Sequence, residues 1–168
     1  MSPSDIRILT VADAAALLAL RREALEQAPL AFLSSPEDDI ASSVEAVAAL
    51  LRGETGSAVF GAFTPYLAGM AGLYRERHAK AAHKAHLWGF YVRPAARRQG
   101  FGGRLLDVAL EHARGLEGVT SVRLSVSAAA PKARVLYERA GFRVWGREPD
   151  ALRHDGQTVA EDHMALDL

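Results

Sequence analysis

Tyr91-Val-Arg-Pro-Ala-Ala-Arg-Arg-Gln-Gly-Phe-Gly-Gly-Arg104 decides how this chain is read. Ahead of it, His86, Trp88, Phe90 and Val92 alternate with Leu87, Gly89 and Tyr91. Both faces of an extended segment over residues 84–92 are thus largely apolar, which marks a central strand covered on both sides. Behind it, Phe101, Leu105, Leu106, Ala109, Leu110 and Ala113 recur at helical spacing up to a stop at Gly115. A glycine-rich turn between a strand and a helix lets backbone N–H groups approach a ligand closely, and the helix N-terminus adds partial positive charge. The stretch reads as a seat for phosphate oxygens, reinforced by Arg97, Arg98 and Arg104.

Charge supports this reading. The chain carries 20 basic and 20 acidic side chains and no net charge, yet residues 74–104 hold eight basic side chains against the single acid Glu76. A basic run also suits nucleic acid, but aromatic residues that would stack on bases are sparse and acids elsewhere cancel the charge, so no nucleic-acid partner is expected. Two commoner phosphate motifs fail on spacing. A dinucleotide fingerprint needs glycine at 105, where Leu105 stands, and a P-loop needs Gly-Lys-Ser/Thr, which is missing.

Working outward, a strand over 6–9 leads into Thr10-Val-Ala-Asp13, a capping box with Asp in the usual Glu place. The helix it opens has Val11, Ala14, Ala15, Leu18 and Leu25 on its apolar stripe and ends at Pro29. A second helix over about 41–51 follows the acidic loop Glu37-Asp38-Asp39. Strands near 57–63, 66–75 and 119–126, a helix opened by Pro131 with Ala133, Leu136, Tyr137 and Ala140 inward, and final strands over 142–148 and 158–166 complete the order. Trp88 and Trp145 read as packing residues. With 168 residues, 49% of them apolar, this is one α/β domain spanning 1–168: a mixed central sheet of about seven strands with helices on both faces.

Cysteine is missing, which excludes a disulfide framework, a thiolate metal site and a cysteine nucleophile. The six histidines form no helical i, i+4 pair, so no metal is expected. The start lacks the basic segment and apolar core of a signal peptide, and the charge-free run 55–74 is broken by Pro65 and four glycines, so a cytoplasmic protein without membrane contact is expected.

Arg97-x-x-Gly100-x-Gly102 resembles the pyrophosphate-binding motif of the GNAT superfamily of acetyl-CoA-dependent N-acetyltransferases. Downstream, Ala133-Arg-Val-Leu-Tyr137-Glu-Arg-Ala-Gly-Phe142 resembles the A-x-x-L-Y-x-x-x-G-F segment of the same superfamily, separated from the first motif by one helix and one strand. The resemblance implies a GNAT-like acyl-CoA N-acyltransferase fold, with acetyl-CoA as acyl donor and a small-molecule or peptide amine as acceptor. It further implies that the strand over 86–92 diverges from the strand over 119–126, with the pantetheine arm in the gap against the backbone of Phe90, Tyr91 and Val92. Amides from Gln99, Gly100, Phe101, Gly102, Gly103 and Arg104 would hold the pyrophosphate. Ala130 departs from the family's frequent asparagine, which puts one contact to the arm in doubt or passes it to Ser127 or Lys132.

Acyl transfer to an amine needs a neutral nucleophile. An alkyl ammonium of pKa about 10.4 is neutral roughly once in 2,500 at pH 7, a handicap of about 4.6 kcal/mol that a base relieves. His86 stands where the family often has a glutamate base, and Glu161 and Asp162 are rivals. The family implies a backbone N–H near Tyr91 or Val92 for the oxyanion, and Tyr137 is the candidate acid for the departing thiolate. Direct transfer in a ternary complex is the first reading; an acetyl-CoA-binding module with little turnover is the alternative. Unpaired sheet edges leave a homodimer open.

Overall fold

The computed structural model describes residues 6–53 and 56–168. Seven strands, β1 (Ile6–Ile8), β2 (Ala58–Phe63), β3 (Leu67–Arg75), β4 (Lys84–Val92), β5 (Ser121–Ser127), β6 (Arg143–His154) and β7 (Gln157–Asp167), form one sheet in the order β1-β2-β3-β4-β5-β7-β6. Every neighbouring pair is antiparallel except β4 and β5, so the sheet is mixed, as expected from the sequence.

Four helices cover it: α1 (Ala14–Gln27), α2 (Val44–Arg52), α3 (Phe101–Arg114) and α4 (Pro131–Arg139). Leu17, Leu20, Ala24 and Val47 of α1 and α2 pack against Val59, Met70 and Tyr91 on one face. Leu105, Leu106 and Ala109 of α3 pack against Phe60, Leu73, Leu87, Val122 and Leu124 on the other, where Tyr137 of α4 joins them. Removing these side chains from water, at about 25 cal/mol per Å² of apolar surface, is what holds the layers together.

The apolar stripe expected for α1 holds at Ala14, Leu18 and Leu25 and fails at Val11 and Ala15. Val11 lies outside in a 3₁₀ turn and Ala15 is exposed, while Leu17, Leu20 and Ala24 point inward with Ala14, Leu18 and Leu25. The 3₁₀ turn rotates the start of the helix relative to a continuous α pattern. Trp145 is 63% exposed on β6 rather than packed, whereas Trp88 lies over Gly72, where an added Cβ would come within 2.1 Å of the indole. β6 and β7 also run longer than the sequence suggested. They meet at the two-residue turn Asp155-Gly156, where both residues have positive φ, the geometry that twists a tight hairpin correctly.

The strand alternation read from β4 holds only as far as Trp88. Gly72 pairs with Trp88 and Met70 with Tyr91, so Gly89 and Phe90 together oppose Ala71. This is a β-bulge, and Gly89 supplies its φ of +61° without steric cost. Past it the faces exchange: Phe90 and Val92 join Leu87 on the α3 side, while Tyr91 joins Trp88 on the α1 side. His86 therefore shares a face with Trp88 but not with Phe90, which corrects the simple period-2 reading.

Asp13 secures the entry to α1. Its Oδ2 accepts from the Thr10 amide at 2.8 Å, and its two carboxylate oxygens take Arg7 Nη1 and Nη2 at 2.8 Å each. These bonds, the one to Arg7 foremost, pull its pKa down to about 2. A carboxyl depressed in the folded state contributes stability above its unfolded pKa of about 3.9 and loses it as pH falls toward 2. Arg7 is half exposed, which discounts the pair. Asp13→Asn is expected to lower the unfolding free energy by roughly 1–2 kcal/mol at pH 7, with the deficit shrinking between pH 4 and pH 2, as read from urea midpoints across that range.

Candidate functional site

The bulge in β4 opens the sheet. β4 and β5 pair through three rungs, Lys84 with Ser121, Ala85 with Val122 and His86 with Arg123, and no further. A bulge bends its strand and increases its twist, which carries the C-terminal half of β4 away from β5. The Arg93 amide donates to Ala68 of β3 at 2.8 Å, so by strand alternation the Val92 peptide groups face the gap. The Val92 carbonyl is taken by Arg97 Nε at 2.8 Å.

At the end of β4, Pro94–Ala96 makes a 3₁₀ turn, Arg98 adopts φ +63° and Gly100 caps α3 at φ +79° with no side-chain cap. Arg104 N–H donates to Gly100 O, which leaves the amides of Phe101, Gly102 and Gly103 ahead of the first helical bond. The amides of Arg98, Gln99 and Gly100 donate to no backbone carbonyl among the described residues. A Cβ at Gly100 or Gly103 would meet nothing within 4 Å, so there is open space above these donors. Arg104 adds a guanidinium whose buried Nε and Nη2 have no partner among the described residues, stacked 4.8 Å from the Phe101 ring. Arg98 and Lys132 are exposed at the rim.

Tyr137 stands beside the gap on the α3 side. Its ring meets Phe90 at 5.7 Å and Phe142 at 5.9 Å, both edge-on. Gly141, at φ +100°, turns the chain so that the Phe142 amide returns to Tyr137 O at 3.0 Å, which explains why glycine and phenylalanine follow the tyrosine at this spacing. The ring is almost wholly buried, the hydroxyl hydrogen-bonds to none of the described residues, and burial pushes its pKa up. Tyr91 points the other way, donating to Glu23 Oε1 at 3.2 Å.

On the α1 face, His86 stacks on Tyr74 at 4.9 Å, and its sealed Nε2 lies 3.0 Å from Glu76 Oε1. Burial outweighs Glu76 and lowers its pKa, so His86 is neutral at pH 7. Asp162 is buried on the opposite face between Arg134 at 2.6 Å and Arg147 at 3.0 Å. Glu161 is half-buried on the α1 face, with its pKa raised by burial. Asp39 of the acidic loop is not solvated: it takes Arg21 Nε and Nη2 at 3.0 and 2.8 Å beneath Phe32. Ser127 donates to Leu30 O at 2.5 Å and accepts from the Ala129 amide, so its hydroxyl is engaged where Ala130 lacks a polar group.

Sequence reasoning missed Arg21, Ser125 and His163. Arg21 Nη1 is buried without a partner among the described residues, 3.3 Å from the Cβ that Gly89 lacks. Ser125 and His163 sit on adjacent strands with Oγ and Nδ1 2.8 Å apart. The shared-face pattern of β5 and β7 carried the second signal; the first depends on packing between distant elements. No group of His, Cys, Asp and Glu among the described residues is arranged to hold a metal ion, and no helix among them is long and apolar enough to cross a membrane.

The sequence profile of the acetyltransferase (GNAT) family matches residues 17–142. No curated protein matches. Among solved structures, a GCN5-related N-acetyltransferase from Kribbella flavida is 27% identical, with 99% of this chain and 100% of that one covered and a TM-score of 0.80. A ribosomal-protein-alanine N-acetyltransferase from Brucella melitensis is 26% identical over 97% and 99%, with a TM-score of 0.82. The protein yncA of Salmonella typhimurium, solved with its cofactor acetyl-CoA, is 22% identical over 97% and 92%, with a TM-score of 0.83.

Gly103 separates stability from anion binding. A carboxylate in the first turn of α3 stabilises the helix but repels an anion from the same amides. Gly103→Asp is expected to raise the unfolding free energy of the ligand-free protein by about 0.5–1 kcal/mol in a urea titration. If this turn seats a diphosphate, the same change is expected to weaken coenzyme A binding at least tenfold by calorimetry.

Proposed function

The chain belongs to the acetyltransferase (GNAT) family, and we propose that it transfers the acetyl group of acetyl-CoA to a primary amine of a small molecule or peptide, by direct attack in a ternary complex. The observation that carries this reading is the gap between β4 and β5, with a turn of free amides at its end and Tyr137 at its side. Acetyl-CoA supplies an activated thioester and a diphosphate. The chain fits it: among the described residues there are unpartnered donors from Arg98 to Gly103, buried unpartnered nitrogens on Arg104, open space over Gly100 and Gly103, and a strand edge at Phe90 and Val92 that β5 does not pair, with only the Val92 carbonyl taken, by Arg97. Arg98 and Lys132 add charge at the rim, and Arg97 secures the end of β4 through the Val92 carbonyl.

Tyr137 serves as the proton donor. Burial keeps the phenol protonated at neutral pH, so the proton is always loaded. A thiolate released in the same dry environment is destabilised for the same reason, which brings the two acidities together where water would keep them apart. The absence of cysteine from the chain fits direct transfer without a cysteine-bound acyl intermediate.

Acetyl-CoA is expected to raise the melting temperature, and thiol release is expected on a panel of spermidine, kanamycin, glutamate and trialanine. Because the hydroxyl holds no bond among the described residues, Tyr137→Phe should change stability by less than about 1 kcal/mol. It should leave acetyl-CoA affinity intact and reduce kcat by about 10²–10³-fold. Stabilisation by acetyl-CoA with no turnover, insensitive to this substitution, would instead favour a binding module, the reading that Ala130 supports.

A further inference from the structure

We propose that Ser125, His163 and Glu148 form a proton relay that deprotonates the acceptor, with Ser125 as the group that touches the amine; this rests on the acetyl-transfer reading. The three residues stand on three neighbouring strands, β5, β7 and β6, on the α1 face. Ser125 Oγ lies 2.8 Å from His163 Nδ1, and His163 Nε2 lies 3.3 Å from Glu148 Oε2. A carboxylate beside Nε2 holds the imidazole proton there. Nδ1 then presents its lone pair to Ser125, whose hydroxyl donates to it and keeps its own lone pairs for an incoming ammonium.

Position separates this cluster from the other candidate bases. The last shared rung joins His86 to Arg123, and Ser125 is the next residue on that face, where β5 has parted from β4. It is exposed and open to an acceptor. His86 lies on the paired side of the opening with Nε2 sealed beside Glu76, and Asp162 is enclosed by two arginines across the sheet. The Trp145 ring, 5.4 Å from His163, walls the imidazole on one side. The charged groups around His163 are Glu148 from β6 and Glu161 from β7, with Arg123 on the same face of β5.

The protons balance. The acceptor ammonium gives one proton to Ser125 Oγ as that hydroxyl passes its own to Nδ1, and the resulting imidazolium sits against Glu148 until it releases the proton to water. The amine nitrogen then bonds to the acetyl carbon as the carbon–sulfur bond breaks. Tyr137 protonates the sulfur, and the second amine proton leaves through the same relay to solvent, from which Tyr137 is reloaded.

The test has two arms. In ligand-free protein, nitrogen-15 NMR of the imidazoles is expected to show neutral His163 protonated on Nε2, and Glu148→Gln is expected to shift it toward the Nδ1–H form. With acetyl-CoA and the fastest amine of spermidine, kanamycin, glutamate and trialanine, Ser125→Ala is expected to lower kcat at least tenfold at pH 7 with KM for acetyl-CoA unchanged. The loss should fade toward pH 10, where the amine is neutral without help. A His163 without tautomer preference, or a Ser125→Ala enzyme with the parent rate and pH profile, overturns the relay while leaving acetyl transfer standing. A loss equal at every pH, or accompanied by weaker acetyl-CoA binding, overturns it as well. A parent protein that acetylates none of the four amines defeats the acetyl-transfer reading, and the relay falls with it.

Discussion

A parallel strand pair that ends after three rungs is the constraint on which this molecule depends. Strands inside a covered sheet normally satisfy their peptide groups on both sides, and a buried N–H or C=O without a partner costs on the order of 1–3 kcal/mol. β5 keeps β7 as a neighbour along its whole length, and β4 keeps β3, but past His86 they do not serve each other. Arg97 repairs one defect by bonding the Val92 carbonyl. The remaining edge is the one that the proposed function assigns to an extended, polar guest. The fold accepts this cost because Gly89 makes the departure a local bend, and the α3 core closes beneath it through Leu87, Phe90 and Val92.

Charge plays a smaller part in the anion seat than the basic run suggests. Arg75 is bonded to Ala82 O, Arg93 to Glu23 and Leu67 O, and Arg97 to Val92 O. Those guanidiniums brace loops and strand ends. In the proposed reading the seat rests on fixed amide dipoles, which need no ordering when an anion arrives, with Arg98 and Arg104 as the nearby cations. The acids are similarly absorbed, since Asp39 and Asp162 each hold arginine rather than facing solvent.

Much of this was legible in the sequence because it is local. The glycine turn, the helix of Phe101–Arg114 and the return of Phe142 onto Tyr137 depend on residues within one or two turns of each other, and spacing encodes them directly. The order of elements and the mixed sheet followed from the same periodicities. What failed was local phase: one residue inserted at Gly89 exchanged the faces of Phe90 and Tyr91, and a 3₁₀ turn ahead of α1 left Val11 outside the stripe that Ala14, Leu18 and Leu25 keep. Neither event alters composition. The Arg21–Asp39 pair joins elements distant in the chain and no local pattern announces it, while the Ser125–His163 contact follows only once β5 and β7 are known to pair.

The two proton tasks of acyl transfer call for opposite surroundings, and the proposed mechanism draws on one face of the gap for each. Protonating a thiolate is helped by dryness, which raises the basicity of the sulfur and keeps the donor loaded; Tyr137, walled by Phe90 and Phe142, has that setting. Removing a proton from an ammonium for good requires a route to bulk water, since a base sealed in the core would stay charged after one turnover. Ser125 and Glu148 are both exposed, and His163 between them is only partly covered. A sheet that stayed closed would keep these environments apart. Opened at Gly89, it would let one reacting carbon be reached, in the proposed mechanism, from buried Tyr137 on one side and solvated Ser125 on the other.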